Sequence, residues 1–230
     1  MLKCENYSSS ILHNISFELQ NKNLIILGSN GAGKTTLAKV LCGITASSCV
    51  SIEDKNPSDI YGENRTKLIN YIPPKLEIYD EFMSVEEFLE INQLYSHKRI
   101  DEILRLVNCE YIKNKKCKNL SSGEAQLLLL ASAILHNAKY TIFDEPTSNL
   151  DPIKIKNSFH ILQDKNILQN KIIITHNLNL AYKLGFDILF IKDGKIAFYD
   201  TSEQFFNDTN LEYFFNDSIK KCDDNIVVNL

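Results

Sequence analysis

Gly28-Ser29-Asn30-Gly31-Ala32-Gly33-Lys34-Thr35 is the stretch on which the reading of this chain turns. It fits the pattern GxxxxGK[ST] and stands between an apolar run, Leu24 to Leu27, and a helical pattern, Thr36 to Leu41. Glycines let the backbone curl until successive N–H groups converge, and the helix that follows aims its positive end at the same point. Such a loop cradles phosphate. Gly28, Ser29, Asn30, Gly31, Ala32 and Gly33 supply backbone, Lys34 a cation for β- and γ-phosphates, and Thr35 a hydroxyl for Mg²⁺, while Thr36 supports the helix start. A turn that merely joined strand to helix would not need Gly-Lys-Thr at its end.

The surroundings of the loop read as α/β. Short apolar runs at Leu24 to Leu27, Leu68 to Ile72, Tyr140 to Phe143, Ile172 to Ile174 and Ile188 to Ile191 alternate with helical patterns, which signals a mainly parallel sheet with helices packed on it. Ile15, Phe17 and Leu19 alternate with Ser16 and Glu18, the period of a half-buried strand in an N-terminal antiparallel sheet. Between Pro74 and Leu120 the pattern turns helical: Ser84 and Glu87 form a capping box, and Ile100, Ile103, Leu104 and Val107 recur at helical spacing. The expected layout is one domain over 1–230. Its core is 1–74 and 120–200, its helical insertion 75–119, and its helical tail 201–230 starts at Thr201 and Gln204.

Two further strand ends carry chemistry. Tyr140 to Phe143 leads into Asp144 and Glu145, which places two carboxylates at the carboxyl end of a core strand, where open α/β sheets bind ligands. Asp144 is the candidate Mg²⁺ ligand, and Glu145 the candidate base that orients and polarises an attacking water. His176 follows the run Lys171 to Thr175, where a neutral imidazole can bond the γ-phosphate or that water; a lone histidine can also be structural.

Composition narrows the class. Net charge is −4, so the chain has no overall basic field to hold a nucleic acid. Lys113, Lys115, Lys116 and Lys118 form a local basic cluster, read as a solvated loop or a contact for lipid headgroups or an acidic partner. The apolar run Leu127 to Leu135 is too short to span a bilayer, and the N-terminus lacks the pattern of a secretory signal. The six cysteines show neither CxxC pairing nor metal-ligand spacing, which suits free thiols in a reducing compartment. A cytoplasmic protein is expected.

Leu120-Ser121-Ser122-Gly123-Glu124 resembles the LSGGQ signature, and with it the chain resembles the ABC ATPase family. Ser148-Asn149-Leu150-Asp151 is similar to that family's D-loop, and Thr175-His176 to its switch histidine. The resemblance implies a homodimer in which ATP held by Gly28 to Thr36 of one copy meets Ser121, Ser122, Gly123 and Glu124 of the other, with Ser148 and Asp151 beside it. It further implies Mg²⁺, ATP hydrolysis, membrane-embedded permease partners with or without an external binding protein, and residence on the inner face of the cell membrane through the permease. Tyr7 stands where the family places an aromatic ring on adenine; a core or surface tyrosine is the equal alternative.

Thr175 to Ala181 resembles the segment after the switch histidine in importers of iron siderophores, haem and cobalamin, so an importer of such cargo is expected. An exporter subunit and a soluble ATPase of the iron-sulfur assembly type are the alternatives. The chain departs from the family at Ser122 for glycine, at Glu124 for glutamine and, most sharply, at Pro74 after Tyr71-Ile72-Pro73, where a glutamine is usual. Proline offers no side-chain donor or acceptor there. Pro74→Gln is therefore expected to change the rate of ATP turnover, or its coupling to the permease, in a phosphate-release assay of the complex. An unchanged rate and coupling would refute that role for the proline.

Overall fold

A strand whose every residue is apolar needs cover on both faces, and Leu24–Gly28 is buried throughout. The computed structural model that shows this describes residues 1–229; Leu230, the end of the expected tail, lies outside the described residues. The chain divides into two units, Met1–Ile60 with residues 172–229, and Tyr61–Lys171.

The first unit begins with β1 (Leu2–Tyr7), β2 (Ile15–Leu19), β3 (Leu24–Gly28), α1 (Lys34–Leu41) and β4 (Val50–Ile52). In β2, Ile15, Phe17 and Leu19 are buried while Ser16 and Glu18 face water, as the alternation requires. β2 and β4 flank β1, both antiparallel to it, which makes the expected N-terminal antiparallel sheet.

The second unit holds α2 (Glu63–Leu68), β5 (Ile69–Ile72), α3 (Val85–Asn92), α4 (Ile100–Leu106), α5 (Ser122–His136), β6 (Tyr140–Asp144) and α6 (Pro152–Gln163). β5 and β6 are parallel, from Ile69 opposite Tyr140 to Ile72 opposite Phe143. α3 opens on the Ser84–Glu87 capping box, and α4 buries Ile103 and Leu104. In α5 every residue except Ser122 and Ala125 is buried, so this is an interior helix, mostly apolar, with Glu124, Gln126, Ser132 and His136 its buried polar groups. It packs on α3, α4, α6 and β5, and it ends at Asn137 in the left-handed conformation, φ 53°.

The chain re-enters the first unit through β7 (Asn170–Thr175), followed by α7 (Leu178–Leu184), β8 (Asp187–Lys192), β9 (Lys195–Asp200), α8 (Ser202–Phe205), α9 (Asp208–Phe215), β10 (Ile219–Cys222) and β11 (Asn225–Val228). From Ile172 onward β7 runs parallel to β3, β8 runs parallel to β3 on its other side, and β9 returns antiparallel to β8. The order is thus β7-β3-β8-β9, a mixed and mostly parallel sheet. Asp193 and Gly194, both at positive φ, form the two-residue turn between β8 and β9.

The segment expected to be a helical tail is α-helical only to Phe215, with one 3₁₀ turn over Asn216–Ser218. Thr201 caps α8 through the Gln204 N–H, α9 ends where Asn216 turns to φ 51°, and β10 and β11 then pair as an antiparallel hairpin. Ile226 is buried, and its N–H donates to Asn179 Oδ1 of α7 at 3.0 Å, which ties the hairpin down. No helix among the described residues is long and apolar enough to cross a membrane.

Leu128 of α5 is fully buried and Tyr79 is 93% exposed. Leu128→Ala is expected to cost about 2–5 kcal/mol in urea unfolding and Tyr79→Ala no more than about 0.5 kcal/mol.

Candidate functional site

The loop after β3 is shaped by crowding. A Cβ on Gly28 would lie 2.6 Å from the Ile191 carbonyl oxygen of β8, and one on Gly33, at φ 94°, would lie 2.6 Å from a Leu12 methyl. Only glycine fits either position. Because Gly33 is also the N-cap of α1, no side-chain oxygen caps that helix, and its positive end opens onto the loop. Lys34 is almost buried, and its ammonium spans the loop, donating to the Gly28 and Ser29 carbonyls at 2.7 and 2.9 Å. Ser29, Asn30, Gly31 and Thr35 are exposed, Thr36 is half-buried, and Ala32 is buried beneath the loop.

Strand register brings His176 to the same place. Leu27 pairs with Thr175, so the next residues, Gly28 and His176, leave the sheet side by side. His176 is exposed and lines one cavity of about 350 Å³ with Gly28, Ser29, Phe190 and Phe214. Asn177 steadies the turn: its N–H donates to Thr175 Oγ1 at 3.1 Å and its Oδ1 caps α7 by accepting from the Leu180 N–H. Tyr7 is different. It ends β1 at only 8% exposure, a core position that leaves little of its ring for an adenine.

In the second unit β6 delivers Asp144 and Glu145. Asp144 is buried and accepts a 3.0 Å hydrogen bond from the Tyr71 hydroxyl of β5. Glu145 is half-buried and takes φ 52°, an uncommon conformation for a residue with a side chain and one that recurs at functional sites. Its carbonyl accepts from the Ser148 N–H and from Gln126 Nε2 of α5. Ser148 and Asn149 are exposed, and Asp151 caps α6 through the Lys154 N–H while pairing with the Lys154 ammonium at 3.0 Å.

At the start of α5, Ser121 and Ser122 are exposed and Gly123 and Glu124 buried. Glu124 Oε2 accepts from both the N–H and the hydroxyl of Ser121, at 2.9 and 3.0 Å, and Ser121 Oγ in turn accepts from the Glu124 N–H at 3.3 Å. Glu124 Oε1 meets the Lys115 ammonium at 2.8 Å. The Lys115 hydrogen bond, followed by those from Ser121, holds the Glu124 carboxyl down at about 2 against the opposing cost of burial.

A loop whose Gly28 and Gly33 leave no room for a Cβ suits a phosphate chain, and the exposed Thr35 hydroxyl at its end is an oxygen donor of the kind Mg²⁺ prefers. The comparisons agree with that chemistry. A family model described as ABC transporter matches residues 12–148. The chain belongs to the ABC transporter family of ATPases. Among its relatives is the molybdate/tungstate import ATP-binding protein WtpC of Methanocaldococcus jannaschii, 33% identical over 88% of this chain and 71% of that protein. The zinc import ATP-binding protein ZnuC of Wigglesworthia glossinidia brevipalpis is 34% identical over 74% of this chain and 72% of its own. Among solved structures, a dimeric post-hydrolysis state of the ATP-binding cassette MJ0796 bound to ADP and Pi superposes with a TM-score of 0.75 at 21% identity, over 88% of this chain and 99% of that one, a likeness of fold.

As an ABC ATPase the chain shows features that its motifs did not announce. The Tyr71 hydroxyl on Asp144 follows from β5–β6 register, and the Gln126 bond to Glu145 from the facing of α5; neither carries a local sequence signal. Pro74 and Gln126 line a shared cavity of about 520 Å³ with Leu120 and Ser122. The lysine cluster is not an open basic patch: Lys113 pairs with Asp101 and Glu86, Lys115 with Glu124, and Lys118 with Glu81.

The Glu124 carboxyl, ordinarily near 4.5, titrates in the folded chain at about 2. Its contribution to stability is therefore complete above about pH 4.5 and lost as pH falls towards 2. Urea unfolding of the parent is expected to weaken across that window more steeply than that of Glu124→Gln, and equal acid sensitivity would contradict the assignment.

Proposed function

We propose that this ABC ATPase drives an importer, as one of two identical subunits that clasp Mg-ATP beneath a permease. The loop Gly28 to Thr35 carries the proposal, because two of its glycines stand where no side chain fits and its lysine bridges the mouth. Backbone N–H groups from Ser29 to Thr35 bind the phosphates, and Lys34 neutralises the β- and γ-oxygens. Thr35 and Asp144 hold Mg²⁺, which supplies charge neutralisation on the phosphates.

Glu145 orients a water for attack on the γ-phosphate and accepts its proton, and His176 donates to a γ-oxygen. Ser121, Ser122 and Gly123 of the second copy complete the clasp at a helix start, with Glu124 acting through Ser121 and with Ser148 and Asp151 close by. The domain layout that goes with this reading is a core of 1–74 and 120–200 with the insertion 75–119.

Import is supported by relatives named for molybdate/tungstate and zinc import, and by the segment Thr175 to Ala181. A metal ion, metal oxyanion or metal chelate, the last including haem and cobalamin, is the cargo class this supports. The permease then holds the subunit at the inner face of the membrane, and an external binding protein delivers the cargo.

Lys34→Ala is expected to abolish ATP binding. Glu145→Gln is expected to keep binding but lower phosphate release by at least about 100-fold. A Lys34→Ala protein that binds and cleaves ATP like the parent would overturn the reading.

A further inference from the structure

The start of α5 carries a charge problem. If Ser121 to Gly123 receive the triphosphate of a second copy, the carboxylate of Glu124 is the wrong sign to stand there. It is not a distant charge: Oε2 lies 3.0 Å from the Ser121 hydroxyl and accepts its hydrogen bond. Nor can it swing out easily, since Glu124 is only 8% exposed and its other oxygen is engaged at 2.8 Å by Lys115. The remaining charges at this helix start cancel in a separate pair. Lys154, whose ammonium would lie 3.5 Å from a Cβ on Gly123, is bound to Asp151 at 3.0 Å.

Lys115 is thus the cation that answers Glu124. It is placed by backbone rather than by its own side chain: its N–H donates to Ile112 O at 2.8 Å and its carbonyl accepts from the Val85 N–H at 2.9 Å. Its ammonium also sits 5.3 Å above the Tyr111 ring, which limits where it can move. The carboxylate's depressed titration, caused first by Lys115, agrees with this geometry.

We infer that Lys115 is a positioning residue for nucleotide-driven pairing: it neutralises Glu124 and draws one carboxylate oxygen away from Ser121, so that the incoming triphosphate meets a neutral helix start. The inference rests on the proposed contact of Ser121 to Gly123 with the nucleotide of a second copy. It gives the chain's exchange of glutamine for glutamate a compensating partner nine residues earlier, outside every motif.

The test is MgATP titration of the full chain in a Glu145→Gln background, with dimer fraction read by light scattering and thermal unfolding recorded alongside. Lys115→Met should raise the ATP concentration for half-maximal pairing about three- to tenfold, a range set by the partial exposure of the lysine. Lys115→Arg should pair like the background protein. Adding Glu124→Gln to Lys115→Met should restore pairing, because the charge to be neutralised is gone. Unchanged pairing in folded Lys115→Met, or a defect that Glu124→Gln does not relieve, overturns the inference alone. Absence of ATP-driven pairing in the background protein itself overturns both it and the clasp on which it rests.

Discussion

The close approach of β3 to β8 constrains everything built around the nucleotide loop. With the Ile191 carbonyl where a Cβ of Gly28 would be, the chain must leave the sheet at a residue without a side chain. The turn that follows is narrow enough for Lys34 to reach back to both Gly28 and Ser29. On the other side of β3, pairing of Leu27 with Thr175 sends His176 out at the same level. One buried strand with a parallel neighbour on each side therefore sets the loop, the helix start and the histidine together.

The second unit solves a comparable problem with a helix. α5 is buried nearly all round, so its first turn is carried by a helix packed on α3, α4, α6 and β5. Its capping box consumes the Ser121 hydroxyl and N–H, and the carboxylate that does this is balanced by Lys115. A helix start proposed to meet an anion is in this way stabilised by an anion of its own. The Lys115 ammonium at 2.8 Å is the cation that balances that carboxylate.

Backbone conformation marks the chemistry as well. Glu145 sits at positive φ with its carbonyl gripped by Ser148 and Gln126, so the side chain proposed to handle water is fixed by the turn that carries it. Asp144, one residue earlier, is still in the strand and is restrained by Tyr71 from its partner strand. Adjacent carboxylates thereby acquire different surroundings, one tied to a hydroxyl in the sheet and one carried on the turn that leaves it.

Much was legible in the sequence because the governing signals are local: glycine spacing and Gly-Lys-Thr in the loop, apolar runs in β3 and β7, alternation in β2, helix starts at Ser84 and Thr201. Each depends on residues within a few positions of one another, where steric and hydrogen-bonding rules act directly. Other features depend on partners far away in the chain. The burial of Tyr7 depends on the sheet that surrounds β1. The hairpin at 219–228, read as part of a helical tail starting at Thr201, depends on Asn179 of α7. Lys113, Lys115 and Lys118 read as part of a basic cluster because their acidic partners at 81, 86, 101 and 124 come from other segments. Sequence alone determined the fold class and the phosphate-binding loop. Tertiary structure alone decided which charges are cancelled and which rings are buried, since both are set by distances between residues that the chain's own order keeps apart.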